Sequence, residues 1–173
     1  MGITIGFSKP KKWKLFAQLI MWGYNIPYSH VYIRLYSVSY QRHLIYQASH
    51  SMVNFMGVNV FNEENITTDE FRLDISDQNL KDMMAFAIDN AGKHYGIKQA
   101  IGMGIVRVAE IFGKYIKNPF ADRAHTYVCS ELCAHILKEF AGTSIPRDID
   151  DITPKDVYVY LQAIKESTVN TTS

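Results

Sequence analysis

The sequence predicts one α+β domain in which an antiparallel sheet packs against a helix that begins at a cysteine. Three observations lead to this fold class. The chain has 173 residues, 47% of them hydrophobic and 20% charged, which suits one domain with one core. Alternating, strand-like segments dominate its first half, and amphipathic helical patterns dominate its second half. We place the domain at residues 1–165 and expect a polar tail at residues 166–173.

The first half of the chain contains the predicted sheet. Residues 30–40 are rich in Val, Tyr and Ile and alternate well, and residues 43–49 continue the pattern beyond a polar turn at Gln41 and Arg42. These two segments predict an antiparallel hairpin. The other segments with regular patterns are a strand at residues 3–7, a helix at 13–24, and weaker strands at 57–61 and 71–73, separated by a polar stretch at 62–70.

The second half of the chain carries mainly helical patterns. Ser76 is a favourable N-cap for a helix whose apolar residues recur at helical spacing from Leu80 to Ala91, and Gly92 can end that helix. The remaining predicted elements are a helix at residues 98–111, a loop at 114–124, a helix at 129–140, and a last helix from 154 to about 164.

A cysteine at the start of a helix is the first candidate for chemistry. A strand-like run leads into an amphipathic helix whose first turn holds Cys129. Backbone N–H groups lack helical partners there and the helix dipole is positive, so a thiol should ionise readily. Cys133, one turn later on the apolar face, is expected in the core. Cys129 is therefore predicted as a nucleophile, and the alternative is a second buried core thiol.

A thiol nucleophile needs a base, and His30 is the first residue of the strongest predicted strand. The pair of Cys129 and His30 makes a cysteine-histidine enzyme the leading hypothesis. The alternative for His30 is an ordinary strand histidine with a satisfied hydrogen bond.

Three segments carry a resemblance to a known superfamily. Ser29-His30-Val31 resembles its histidine motif, residues 127–132 resemble its cysteine motif, and Tyr46-Gln47-Ala48 resembles the place of its third polar residue. Residues 92–96 and 152–154 look like its connectors. Over roughly residues 1–160 the chain is thereby similar to circularly permuted members of the NlpC-like papain-fold superfamily, in which the histidine strand precedes the cysteine helix.

The resemblance implies a permuted papain-like fold and a site made of Cys129, His30 and Gln47. Members act on amide, peptide or ester bonds, and they include cell-wall peptidases, amidases and relatives of lecithin:retinol acyltransferase. We therefore expect a cysteine hydrolase of the amidase or peptidase type, acting on a peptide, a cell-wall fragment or a lipid-type substrate. The alternatives are a lipid acyltransferase or thioesterase, and a binding module of the same fold with a lapsed site.

Gln47 departs from the family pattern, because permuted relatives often carry a carboxylate or a second histidine there. A glutamine can orient His30 through a hydrogen bond but cannot offset the charge of an imidazolium ion. His50 competes with Gln47 for this role, yet strand alternation directs residues 47 and 50 to opposite faces. We keep Gln47 as the third residue, against the alternative of a plain surface glutamine.

Charge and composition limit the other classes of function. A formal net charge of +1 argues against general nucleic-acid binding, which needs a basic surface to displace counterions. No cofactor is expected. Zinc is an alternative because His125, Cys129 and Cys133 recur every fourth residue, but the spacing offers no fourth ligand.

The N-terminal segment is the best candidate for contact with an anionic surface. Lys9, Lys11, Lys12 and Lys14 surround Trp13 and lead into an apolar helix. A solvated helix start followed by a core-facing helix is the favoured alternative. No signal peptide or membrane-spanning run is recognised, which predicts a cytoplasmic location, with delivery by a phage or by injection as the alternative.

Aromatic residues near the predicted site are candidates for lining a substrate groove, although packing is the alternative for residues of this type on a strand. They are Tyr28, Tyr32, Trp13 and Trp22.

Overall fold

The computed structural model describes residues 2–49, 52–96, 102, 106, 109, 113–117 and 126–170, and it confirms an α+β fold. Its strands are β1 (Gly2–Pro10), β2 (His30–Ser37), β3 (Arg42–Ser49), β4 (Met52–Gly57), β5 (Asn65–Asp74), β6 (His94–Tyr95) and β7 (Thr126–Tyr127). They form a seven-stranded sheet in the order β5-β1-β2-β3-β4-β6-β7. Neighbouring strands are antiparallel except β6 and β7, which are parallel.

The helices lie on both faces of this sheet. Those with fully described bounds are α1 (Leu15–Tyr24), α2 (Val58–Glu64), α3 (Asp77–Asn90), α4 (Cys129–Phe140) and α5 (Pro154–Asn170), with a short 3₁₀ turn at Ile149–Asp151. Helix α4 packs against β2 and β3, and α3 and α5 pack against α4. Within the described part of the chain, no helix combines the length and hydrophobicity needed to cross a membrane.

Strand alternation divides the core between the two faces of the sheet. Val31, Ile33 and Leu35 of β2 belong to the larger core, together with the apolar face of α4. Tyr32 points to the other face and packs with Phe61 of α2 in a smaller cluster. Successive side chains of a strand point to opposite faces, so odd and even positions of β2 serve different cores.

Several predicted elements are confirmed by the structure. β2 and β3 form the expected antiparallel hairpin, and Gln41 in its turn takes the left-handed conformation with φ of 49°. Ser76 caps α3 by accepting a hydrogen bond from the backbone N–H of Asn79 at 3.0 Å. Helix α4 begins at Cys129 as predicted.

Other predicted elements are wrong. Residues 58–61, predicted as strand, lie in helix α2. The strand predicted at 71–73 is longer than expected, because β5 begins at Asn65 within the polar stretch. β5 is an edge strand with one half-solvated face, so it needs few apolar residues. The last helix ends at Asn170 instead of near Ile164, so helix continues into the predicted polar tail. The predicted helix at 98–111 and loop at 114–124 lie mostly outside the described residues.

Candidate active site

The start of α4 is held in place from both sides. The Oε2 of Glu131 accepts a hydrogen bond from the backbone N–H of Val128 at 3.1 Å, which caps the helix. The buried hydroxyl of Ser130 donates to the carbonyl oxygen of Ile152 at 2.6 Å. Because these bonds flank Cys129 directly, they fix the backbone that carries the thiol.

The sulfur of Cys129 meets backbone donors of two elements. The backbone N–H groups of Val31 in β2, of Ser130 and of Cys129 itself lie close enough to the sulfur to lower the pKa of the thiol. The residue is only 6% exposed. Donors gathered at a helix start are the groups that can also hold the oxyanion formed when a thiolate attacks a carbonyl.

Burial decides the protonation state of Cys129 in the resting chain. It raises the pKa of the thiol to about 11, although the three backbone N–H groups act in the opposite direction. The expectation that the helix start makes this thiol ionise readily is therefore wrong for the resting chain, because loss of hydration outweighs the helix end. The resting nucleophile is a neutral thiol that needs a base during the reaction.

His30 and Gln47 are brought together by the structure. The Nε2 of His30 lies 2.7 Å from the Oε1 of Gln47. An amide oxygen only accepts, so the imidazole donates from Nε2 and its neutral form has the acceptor nitrogen at Nδ1. Gln47 is 3% exposed, and its Nε2 donates to the sulfur of Met56 at 3.3 Å. The amide is thereby fixed in the orientation that holds His30, and the alternative of a surface glutamine does not apply.

The strands β2 and β3 are no longer paired where His30 and Gln47 meet. The ladder between β2 and β3 pairs Ile33 with Tyr46 and ends there, whereas β2 begins at His30 and β3 continues to Ser49. His30 and Gln47 lie, by alternation, on the face of the sheet opposite to α4. The sulfur of Cys129 reaches the backbone of Val31, the residue after His30, from the α4 face. The structure therefore brings His30 and Gln47 together but leaves the thiol of Cys129 on the other face of the sheet. The unpaired ends of β2 and β3 lie between the thiol and the imidazole.

Tyr95 is a neighbour of the thiol that sequence reasoning missed as a site residue. Its hydroxyl forms a hydrogen bond with Cys129, and burial raises its pKa well above the usual value, so it is a neutral donor. β6 places it there, because Tyr95 pairs with Tyr127, two residues before Cys129. A signal was present in the sequence, since residues 92–96 resemble a connector of the superfamily.

Glu131 is a second residue that sequence reasoning missed. It is buried, and the resulting loss of hydration raises its pKa to about 8. Its Oε1 has no hydrogen-bond partner within the described structure. Glu131 also lines a cavity of about 520 Å³ beside α4, together with Tyr127, His135 and Arg147.

The remaining predicted residues fall into three groups. Cys133 is fully buried in the core, as expected. His50 and His125 lie outside the described residues, and no group of three or more potential ligands in the described part is placed to hold a metal ion. Tyr32 is buried and bonded through its hydroxyl to Thr67 and Glu70, so it packs the sheet and does not line a groove.

No protein-family model matches the chain, and no curated protein matches it.

Proposed function

We propose that the chain is a cysteine-dependent hydrolase of the amidase or peptidase type, with Cys129 as nucleophile, His30 as base and Gln47 as the residue that positions the base. The observation that carries this proposal is the 2.7 Å bond between His30 and Gln47 at the start of β2, where the backbone of the next residue, Val31, lies beside the thiol of Cys129 on the other face of the sheet. A polar pair of this kind orients an imidazole for proton transfer.

In the proposed reaction, substrate enters where β2 and β3 separate. Because the thiol and the imidazole lie on opposite sides of the unpaired ends of β2 and β3, the proton of the thiol passes to Nδ1 of His30 through a bridging water molecule as the sulfur attacks the carbonyl carbon. The backbone N–H groups at the start of α4 stabilise the oxyanion. The protonated imidazole then returns its proton to the leaving nitrogen or oxygen, which leaves an acyl group on Cys129. A water molecule, deprotonated by His30, releases this acyl group as a carboxylate and regenerates the thiol.

The identity of residue 47 determines the rate expected for this reaction. The amide oxygen of Gln47 holds the imidazole but carries no charge to stabilise the imidazolium ion that forms during attack. A slow enzyme is therefore expected compared with relatives that have a carboxylate at this position. Peptides, cell-wall fragments and lipid-type esters are the proposed substrate classes, and a permuted NlpC-like fold is the proposed ancestry, since the His30 strand precedes the Cys129 helix.

A binding module with a lapsed site is the second candidate. Two observations favour it: burial keeps Cys129 protonated, and the cavity lined by Glu131 and Tyr127 offers a place for a ligand without involving the thiol. Such a module would bind ligand and form no covalent intermediate.

Covalent trapping separates the two candidates. The chain is mixed with p-nitrophenyl acetate, thioesters, peptidoglycan peptides and lipid esters, and adducts are located by intact-mass and peptide mass spectrometry. We expect an acyl adduct on Cys129 that persists in Cys133→Ala and is absent in Cys129→Ala. If Cys129 can be alkylated but forms no acyl adduct with any member of the panel, the hydrolase proposal fails and the binding module replaces it.

A further inference from the structure

Helix α1 carries an apolar surface on its outward side. Leu15, Phe16, Leu19 and Trp22 are exposed and lie on one face of the helix, and Trp13 is exposed just before it. We call these five side chains the α1 surface. The two tryptophans are 72% and 81% exposed, which is unusual for residues of this size. The expectation of a core-facing helix is therefore wrong, because the buried side of α1 presents mainly the small Ala17 to the core.

Positive charge accompanies this surface. Residues 9–24 contain four lysines and no acidic residue, and the lysines come immediately before α1. Lys11 is anchored by its backbone N–H, which donates to the carbonyl of Glu64 at 2.8 Å. The other end of α1 is anchored by Lys155, whose Nζ donates to the carbonyl oxygen of Tyr24 at 3.1 Å. The apolar surface and its basic border are therefore presented together on the folded chain.

We propose that the α1 surface docks on an anionic membrane surface. Exposed tryptophans and apolar side chains enter the interface between lipid head groups and acyl chains, while lysines bind the acidic head groups. Charge complementarity favours this occupant over a second copy of the chain, since apposing two α1 surfaces would bring eight lysines together (four from each copy). The proposal does not depend on the chemistry of Cys129.

Docking through α1 would also orient the candidate site. β1 pairs Ser8 with His30, so β1 ends and β2 begins at the same end of the sheet, and α1 connects them there. The α1 surface therefore stands at the end of the sheet that contains His30 and Gln47. A membrane bound by α1 would lie next to this end.

The chain contains its own reporter for a test. Its two tryptophans are Trp13 and Trp22, so all tryptophan fluorescence comes from the α1 surface. We expect a blue shift and cosedimentation with vesicles of phosphatidylcholine and phosphatidylserine at low salt, both weakening as salt rises. Brominated lipids should quench the emission. The variant Cys129→Ala should bind as the natural chain does.

Matched variants separate the contributions of charge and apolar contact. Changing Lys11, Lys12 and Lys14 together to Gln should weaken cosedimentation on the order of a hundredfold. The combined change of Trp13 and Trp22 to Ala should weaken it by about tenfold or more. The controls are Tyr40→Ala, which removes an exposed aromatic ring elsewhere, and the combined change of Lys81, Lys114 and Lys117 to Gln, which removes the same charge. Both controls should bind as the natural chain does.

Three results would overturn the proposal. The first is no cosedimentation at low salt. The second is equal, salt-independent binding to vesicles of phosphatidylcholine alone. The third is a blue shift without vesicles that grows with protein concentration and coincides with dimer formation in analytical ultracentrifugation, because a second copy would then cover the α1 surface.

Discussion

The pH dependence of Cys129 alkylation follows directly from the burial of the thiol. Burial raises its pKa from 9.0 to about 11, and only the thiolate reacts with iodoacetamide. Each unit of pKa is a factor of ten in thiolate, so near neutral pH the natural fold should hold about a hundredfold less thiolate than an unperturbed cysteine. The rate should rise about tenfold per pH unit and level off only near pH 11.

Peptide-resolved mass spectrometry measures this rate at each cysteine separately. The reference is the same chain in denaturant, where both thiols are solvated and should titrate near their ordinary value. Burial also slows reagent access at every pH. The pKa of the thiol is therefore read from the midpoint of the rate-against-pH profile and not from the absolute rate. Cys133 should react more slowly than Cys129, because it is fully buried and its pKa is raised well above the usual value.

A plateau reached near neutral pH would refute this reasoning. It would mean that Cys129 is already a thiolate in the resting chain, paired with an imidazolium at His30. The same conclusion would follow if His30→Ala moved the midpoint upward by more than about one unit, since loss of a positive neighbour raises a thiol pKa.

Two further predictions concern stability. Gly6→Ala should destabilise the fold by about 1–3 kcal/mol in urea unfolding, because a Cβ there would lie 2.2 Å from the Tyr32 ring; Gly57→Ala, with open space around its Cβ, should change little. Glu131 keeps its proton in the folded chain up to about pH 8 and loses it near 4.5 when unfolded, so the free energy of unfolding should fall as pH rises between these values. Glu131→Gln retains an acceptor for Val128 and should remove that fall; an unchanged pH dependence would contradict the assignment.

Much of the central architecture could be predicted because local signals were strong. The Val- and Tyr-rich alternation of β2, the turn at Gln41, the Ser76 cap and the helix starting at Cys129 each follow from short-range physical preferences. The hydrogen bond of His30 with Gln47 was also anticipated, through the resemblance of two short motifs.

The errors arose where short segments or burial decided the outcome. The run Val58–Phe61 is too short for its period to distinguish strand from helix, and α2 forms there. The apolar pattern of α1 correctly predicted a helix but not that its large side chains face outward. Burial of Cys129 depends on residues distant in sequence, so its raised pKa could not be predicted from helix position alone.

The proposed function requires that Cys129, His30 and Gln47 act as one site. The direct measurement is the rate of Cys129 acylation by p-nitrophenyl acetate in the natural chain, His30→Ala, Gln47→Ala and the double variant, with the exposed His43→Ala as control. We expect His30→Ala to slow acylation by about 10²–10⁴-fold, and Gln47→Ala to slow it only while His30 is present. Equal effects of Gln47→Ala with and without His30, or no effect of His30→Ala, would contradict a shared site.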